Sequence, residues 1–101
     1  MDNKALMGWV EEFWENNILP TLFDYIKIPN KSPSFDKNWK KNGHMDKVLA
    51  MAKDWAKTHL PENAELIIKE TPGRTPLLLV DIPGKKDGNI LMYGHLDKQP
   101  E

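Results

Sequence analysis

The chain has 101 residues, 40% of them hydrophobic and 29% charged, with a formal net charge of -1. That length holds one domain at most, and the near-neutral balance leaves no basic footprint for nucleic acid or an anionic membrane. Cysteine is absent, which excludes disulfides, zinc–thiolate sites and cysteine nucleophiles.

Residues 4 to 27 read as helical. Leu6, Trp9, Val10, Phe13 and Trp14 recur at spacings of three and four, and Leu19, Leu22, Phe23 and Ile26 repeat the pattern. Pro20 falls between the two sets, so the segment is either one kinked helix or two helices with Pro20 near the start of the second. Residues 29 to 43 form a polar linker punctuated by Pro29, Pro33 and Gly43, with Phe35 and Trp39 as its anchors. A second helix is expected over residues 43 to 60. Met45, Val48, Leu49, Ala52, Trp55, Ala56 and His59 trace one face, Asn42 is the expected N-cap, and Pro61 stops the helix. Asp46 near its start and Lys57 and His59 near its end suit the helix dipole. The four tryptophans are expected to fill a core between helices and sheet.

The pattern then turns strand-like. Residues 64 to 69 read as a first strand. Residues 77 to 82 are nearly all apolar and read as a second, buried on both faces. After a turn over residues 84 to 88, residues 89 to 93 read as a third, hairpin-paired with the second. The expected fold class is α/β: two N-terminal helices followed by three strands, the start of a layered domain spanning residues 1 to 101. The N-terminus lacks a signal-peptide pattern, and no apolar run approaches the ~20 residues of a membrane span. The reading is a soluble, cytoplasmic protein.

The chemistry concentrates in Gly94-His95-Leu96-Asp97, just past the expected third strand. Functional groups gather at the carboxyl ends of strands in α/β sheets. A neutral imidazole is a good zinc ligand, and a carboxylate two positions away can hold its other ring nitrogen. A bare His-x-Asp is more often a hydrogen-bonded pair closing a loop than a metal site. His44 and His59, near the two ends of the second helix, suit capping or surface roles. Ser32 and Ser34 lack the setting of a nucleophilic serine. Asp81 reads as an edge or loop-facing polar residue.

The longer stretch Asn89-Ile90-Leu91-Met92-Tyr93-Gly94-His95-Leu96-Asp97-Lys98-Gln99-Pro100 resembles the first metal-binding segment of a zinc-dependent exopeptidase family. That family contains carnosinase, aminoacylase, glutamate carboxypeptidase and succinyl-diaminopimelate desuccinylase, and the resemblance is closest to the carnosinase-like dipeptidases. Residues 19 to 30 look like the family's opening helix and following loop. Residues 75 to 84 look like the strand that precedes the metal-site strand. The similarity covers nearly the whole chain.

The resemblance implies a layered zinc-peptidase catalytic domain and a role for each residue of the pair. His95 matches a ligand to one of two zinc ions, and Asp97 matches the catalytic aspartate that hydrogen-bonds and tunes that histidine. Cobalt or manganese also suits such a donor set. The substrate class implied is a dipeptide or an N-acyl amino acid, with a homodimeric full-length enzyme. The family's bridging aspartate, its Glu-Glu pair, its later ligands and its lid domain would fall beyond Glu101. The expectation is therefore an N-terminal fragment, inactive by itself. The alternative is a non-catalytic α/β folding or interaction module.

Overall fold

Asp2 opens the first helix, its carboxylate accepting from the Lys4 amide at 3.0 Å and so satisfying one of the free N–H groups of the first turn. The computed structural model describes residues 2–101. Helix α1 (Asn3–Phe13) passes through a π turn (Trp14–Ile18) directly into α2 (Leu19–Lys27). Pro20 explains the wide turn. It has no N–H to donate, and its ring crowds the carbonyl four residues back. The backbone opens so that the Leu19 N–H reaches the Trp14 carbonyl, five residues back. The Thr21 hydroxyl donates to the Asn17 carbonyl at 2.7 Å. The result is one long N-terminal helix, which ends at Ile28 ahead of Pro29.

The linker contains a short helix, α3 (Trp39–Asn42), closed by Gly43 in the left-handed region at φ 75. Helix α4 (His44–His59) follows at once. Asn42 is therefore not its N-cap. Gly43 takes that position with no side-chain bond, and the Asn42 amide instead donates to the Asp36 carboxylate at 2.9 and 3.1 Å. Of the expected loop anchors, Trp39 is half-buried and Phe35 is exposed.

Among the described residues, four apolar ones are buried, all on α4: Met45, Val48, Leu49 and Ala56. They confirm the expected face. The expectation that the tryptophans fill a core is corrected. Trp9 and Trp14 are 59% and 41% exposed, and Trp39 and Trp55 are half-buried. An amphipathic stripe is buried only where another layer meets it, and α1 meets α4 along a narrow seam. There Phe13 stacks on Trp9 at 5.0 Å and meets the edges of Trp55 at 6.5 Å and His59 at 5.7 Å.

Strands β1 (Glu65–Lys69) and β2 (Leu77–Asp81) pair antiparallel, with Leu66 opposite Val80 and Ile68 opposite Leu78. The sheet has two strands, not three. Leu66, Leu78 and Val80 are half-buried on one face, while Ile67, Leu77 and Leu79 are exposed on the other. So β2 is not buried on both faces. Residues 85 to 88 bend but close no hairpin, and residues 89 to 93 join no ladder. Ile90, Leu91, Met92 and Tyr93 are each at least 87% exposed. An apolar run has the composition of a strand, but strand structure needs an edge that accepts it.

The surface records the same shortfall. The chain exposes 8730 Å², where a folded monomer of its mass exposes about 5,900 Å². Its radius of gyration is 16.3 Å, against roughly 13 Å for a close-packed chain of this length. The architecture is a mixed α/β arrangement whose apolar faces on α1 and the hairpin have no covering layer among the described residues. No helix among the described residues is long and apolar enough to cross a membrane.

Candidate functional site

Residues 94 to 98 return to the end of α2 and are fastened there. The Lys98 N–H donates to the Asn30 carbonyl, and the Ser32 N–H donates to the Lys98 carbonyl, both at 2.9 Å. The Leu96 carbonyl accepts from the Tyr25 hydroxyl at 2.5 Å and from the Asn30 side-chain amide at 2.9 Å. The Lys98 ammonium donates to the carbonyls of Tyr25 (2.8 Å) and Ile28 (2.5 Å) and to Asn30 Oδ1. It also lies 3.9 Å from the centre of the Tyr25 ring. A cation at the carbonyl end of a helix is favourably placed. Burial pushes the Lys98 amine below its ordinary pKa, while its three oxygen acceptors favour the protonated form. Burial, and then the charge of Asp97, raises the Tyr25 phenol.

His95 and Asp97 stand on this fastened segment as a pair. His95 Nδ1 lies 2.9 Å from Asp97 Oδ1 and 3.0 Å from the Asp97 carbonyl. Both partners are acceptors, so Nδ1 carries the proton and donates. In the neutral ring, Nε2 then keeps its lone pair free. The pair does not sit at the end of a strand, as the sequence reading expected. It occupies a loop pinned to the end of α2, because residues 89 to 93 form no strand. His95 is exposed and Asp97 half-buried.

The Asp97 carboxylate, then its carbonyl, then its negative charge raise the His95 pKa. Each contact favours the imidazolium, so the ring holds its proton to higher pH than an ordinary histidine. A metal ion competes with that proton, so binding at Nε2 weakens as pH falls through the raised pKa and strengthens above it. Asp97→Asn removes the carboxylate charge and lowers the His95 pKa toward the ordinary value near 6.5. A proton NMR titration of His95 in the metal-free chain checks this, and an unchanged midpoint contradicts it.

Beside the pair runs an open groove of about 340 Å³, lined by Met45, Val48 and Leu49 of α4, Leu77 and Leu78 of β2, and the 93–97 segment. The other singled-out residues lie elsewhere. His44 begins α4. His59 ends it, donating from Nδ1 to the Trp55 carbonyl at 2.8 Å and stacking on the Trp55 ring at 4.0 Å. Asp81 is the exposed last residue of β2, and Ser32 and Ser34 stay in the linker. Among the described residues, no three His, Cys, Asp or Glu side chains converge as a metal cluster would. His95, with one nitrogen engaged by a carboxylate and the other free, has the donor chemistry of a single ligand in a zinc set of about four.

Sequence reading missed Tyr25, Asn30 and Lys98. Asn30 and Lys98 are 68 residues apart, and no local spacing rule pairs such positions. The one available signal was a lysine directly after Asp97, a cation within reach of the pair. No protein-family model and no curated protein matches the chain.

Proposed function

We propose that the chain supplies the N-terminal part of the catalytic domain of a di-zinc metallopeptidase that hydrolyses dipeptides or N-acyl amino acids. One observation carries the reading: the His95 ring is held through Nδ1 by the Asp97 carboxylate, with Nε2 free on the lip of an apolar groove. A carboxylate–histidine pair of this kind is how proteins fix the tautomer and direction of a metal-ligating imidazole. His95 is the metal ligand. Asp97 orients it and raises its basicity. When bound, the paired metals supply an activated hydroxide and polarise the scissile carbonyl. The groove wall of Met45, Val48 and Leu49 offers an apolar surface to a substrate side chain or acyl group. The resemblance of residues 19–30, 75–84 and 89–100 to the exopeptidase family supports the same reading.

The uncovered surface favours a second reading. The 90–93 run and the outer face of the hairpin suit a non-catalytic module that docks on a partner. One experiment separates the two. The intact protein, loaded with zinc, cobalt or manganese, is assayed on panels of dipeptides and N-acyl amino acids with and without chelator. Chelator-sensitive hydrolysis is expected. No hydrolysis on either panel with any of the three metals sinks the enzyme reading.

A further inference from the structure

We propose that Asn30 and Lys98 form a positioning clamp that holds His95 and Asp97 in their paired geometry; its use rests on the metallopeptidase reading, its existence on the contacts themselves. Asn30 is the one buried polar residue among those described, at 1% exposure. A buried amide is costly unless both of its ends are satisfied. Here both are, and by the same segment: Oδ1 accepts from Lys98, and Nδ2 donates to the Leu96 carbonyl. That carbonyl belongs to the peptide bond leading into Asp97. On the other side of Asp97, the Lys98 backbone is held by Asn30 and Ser32. Asp97 is thus bracketed one residue before and one residue after.

The bracket matters because the His95 ring is largely in solvent and its partner Asp97 is only half-buried. An exposed ion pair is weak and does not hold one geometry on its own. Burial is not what fixes His95, so the backbone on either side of Asp97 must be held instead. The Lys98 stem is flexible and rich in rotamers. Three acceptors at the end of α2 reduce it to one position, and Asn30 passes that constraint to Leu96. The order of support runs from α2 to Asn30 and Lys98, from them to Asp97, and from Asp97 to the His95 ring. Asn30 and Lys98 are positioning residues, which act on His95 through Asp97.

The test reads the His95 tautomer by long-range proton–nitrogen NMR on the 101-residue chain, at one alkaline pH where the ring is neutral. The wild-type chain shows Nδ1–H. Asn30→Asp keeps the size of the side chain and its acceptor for Lys98, but sets a carboxylate against the Leu96 carbonyl. Asn30→Asp and Lys98→Met both lose the Nδ1–H pattern while the amide spectrum of α4 persists. Tyr25→Phe removes only one of the two donors to the Leu96 carbonyl, leaves the core untouched and shows a partial shift in the same direction. Ala56→Gly weakens α4 far from the clamp and leaves the tautomer as in wild type. Where one clamp variant does not fold, the other decides, and where neither folds, Tyr25→Phe decides. Nδ1–H fully retained in the deciding variant overturns the clamp, as does its equal loss in Ala56→Gly. A confirmed clamp in a protein without metal-dependent hydrolysis leaves the clamp standing and removes only the metallopeptidase reading.

Discussion

On the proposed metallopeptidase reading, His95→Ala in the intact protein is expected to abolish metal-dependent hydrolysis of dipeptides, while Asp97→Asn is expected to leave a measurable remainder. The difference follows from where each side chain acts. His95 offers its Nε2 lone pair directly, and alanine offers none. Asp97 acts through His95, by fixing which nitrogen carries the proton. Losing such an outer partner typically costs ~10- to 100-fold in metal affinity or activity. Losing the ligand itself costs more than that, so the two variants fall in a fixed order. Steady-state rates with added zinc, read with metal content by elemental analysis, check both. His95→Ala retaining wild-type kcat/KM ends the metal-ligand assignment. Asp97→Asn losing as much as His95→Ala means that Asp97 does more than orient the ring.

Leu49→Ala destabilises the fold by about 2–5 kcal/mol, the range for truncating a buried leucine. The fraction of total stability lost is unusually large. Among the described residues, Leu49 is one of four buried apolar residues, all on α4, and no second core compensates. Trp9→Ala removes a much bigger side chain, yet Trp9 is 59% exposed. It costs roughly 1 kcal/mol, mostly the stack on Phe13. Chemical denaturation followed by far-ultraviolet circular dichroism compares the two variants. The opposite order, with Trp9→Ala the more damaging, shows that the core lies on α1 and refutes the assignment to α4.

Much of this fold is legible along the chain because its elements are local. The face of α4 follows from residues three and four apart. The wide turn before α2 follows from one proline, and strands β1 and β2 from two apolar runs, although the expected partner of the second run was residues 89 to 93 and not the first run. What escaped depends on distant partners. Residues 89 to 93 have the content of a strand, but whether they pair depends on an edge elsewhere. The exposure of Trp9 and Trp14 depends on a layer that no helical periodicity describes. At the site, His95 and Asp97 were visible because they are two residues apart, and their mutual hydrogen bond is a local event. Their support was not visible, because Asn30 and Tyr25 reach Leu96 and Lys98 from the far end of a helix. Asn42 was misread because one left-handed glycine moved the start of α4 past it.

The 8730 Å² left in water also fixes the calorimetric behaviour of the chain. The heat-capacity increment of unfolding arises from surface newly exposed, apolar area raising it and polar area lowering it. A chain that is already so widely hydrated has less apolar area left to expose. Its increment therefore falls below the ~1.2–1.5 kcal/mol/K usual for about 100 residues. With a small increment the stability curve is flat, and its maximum is shallow. Cooling is expected to weaken the fold little, because little hydrophobic driving force is there to fade.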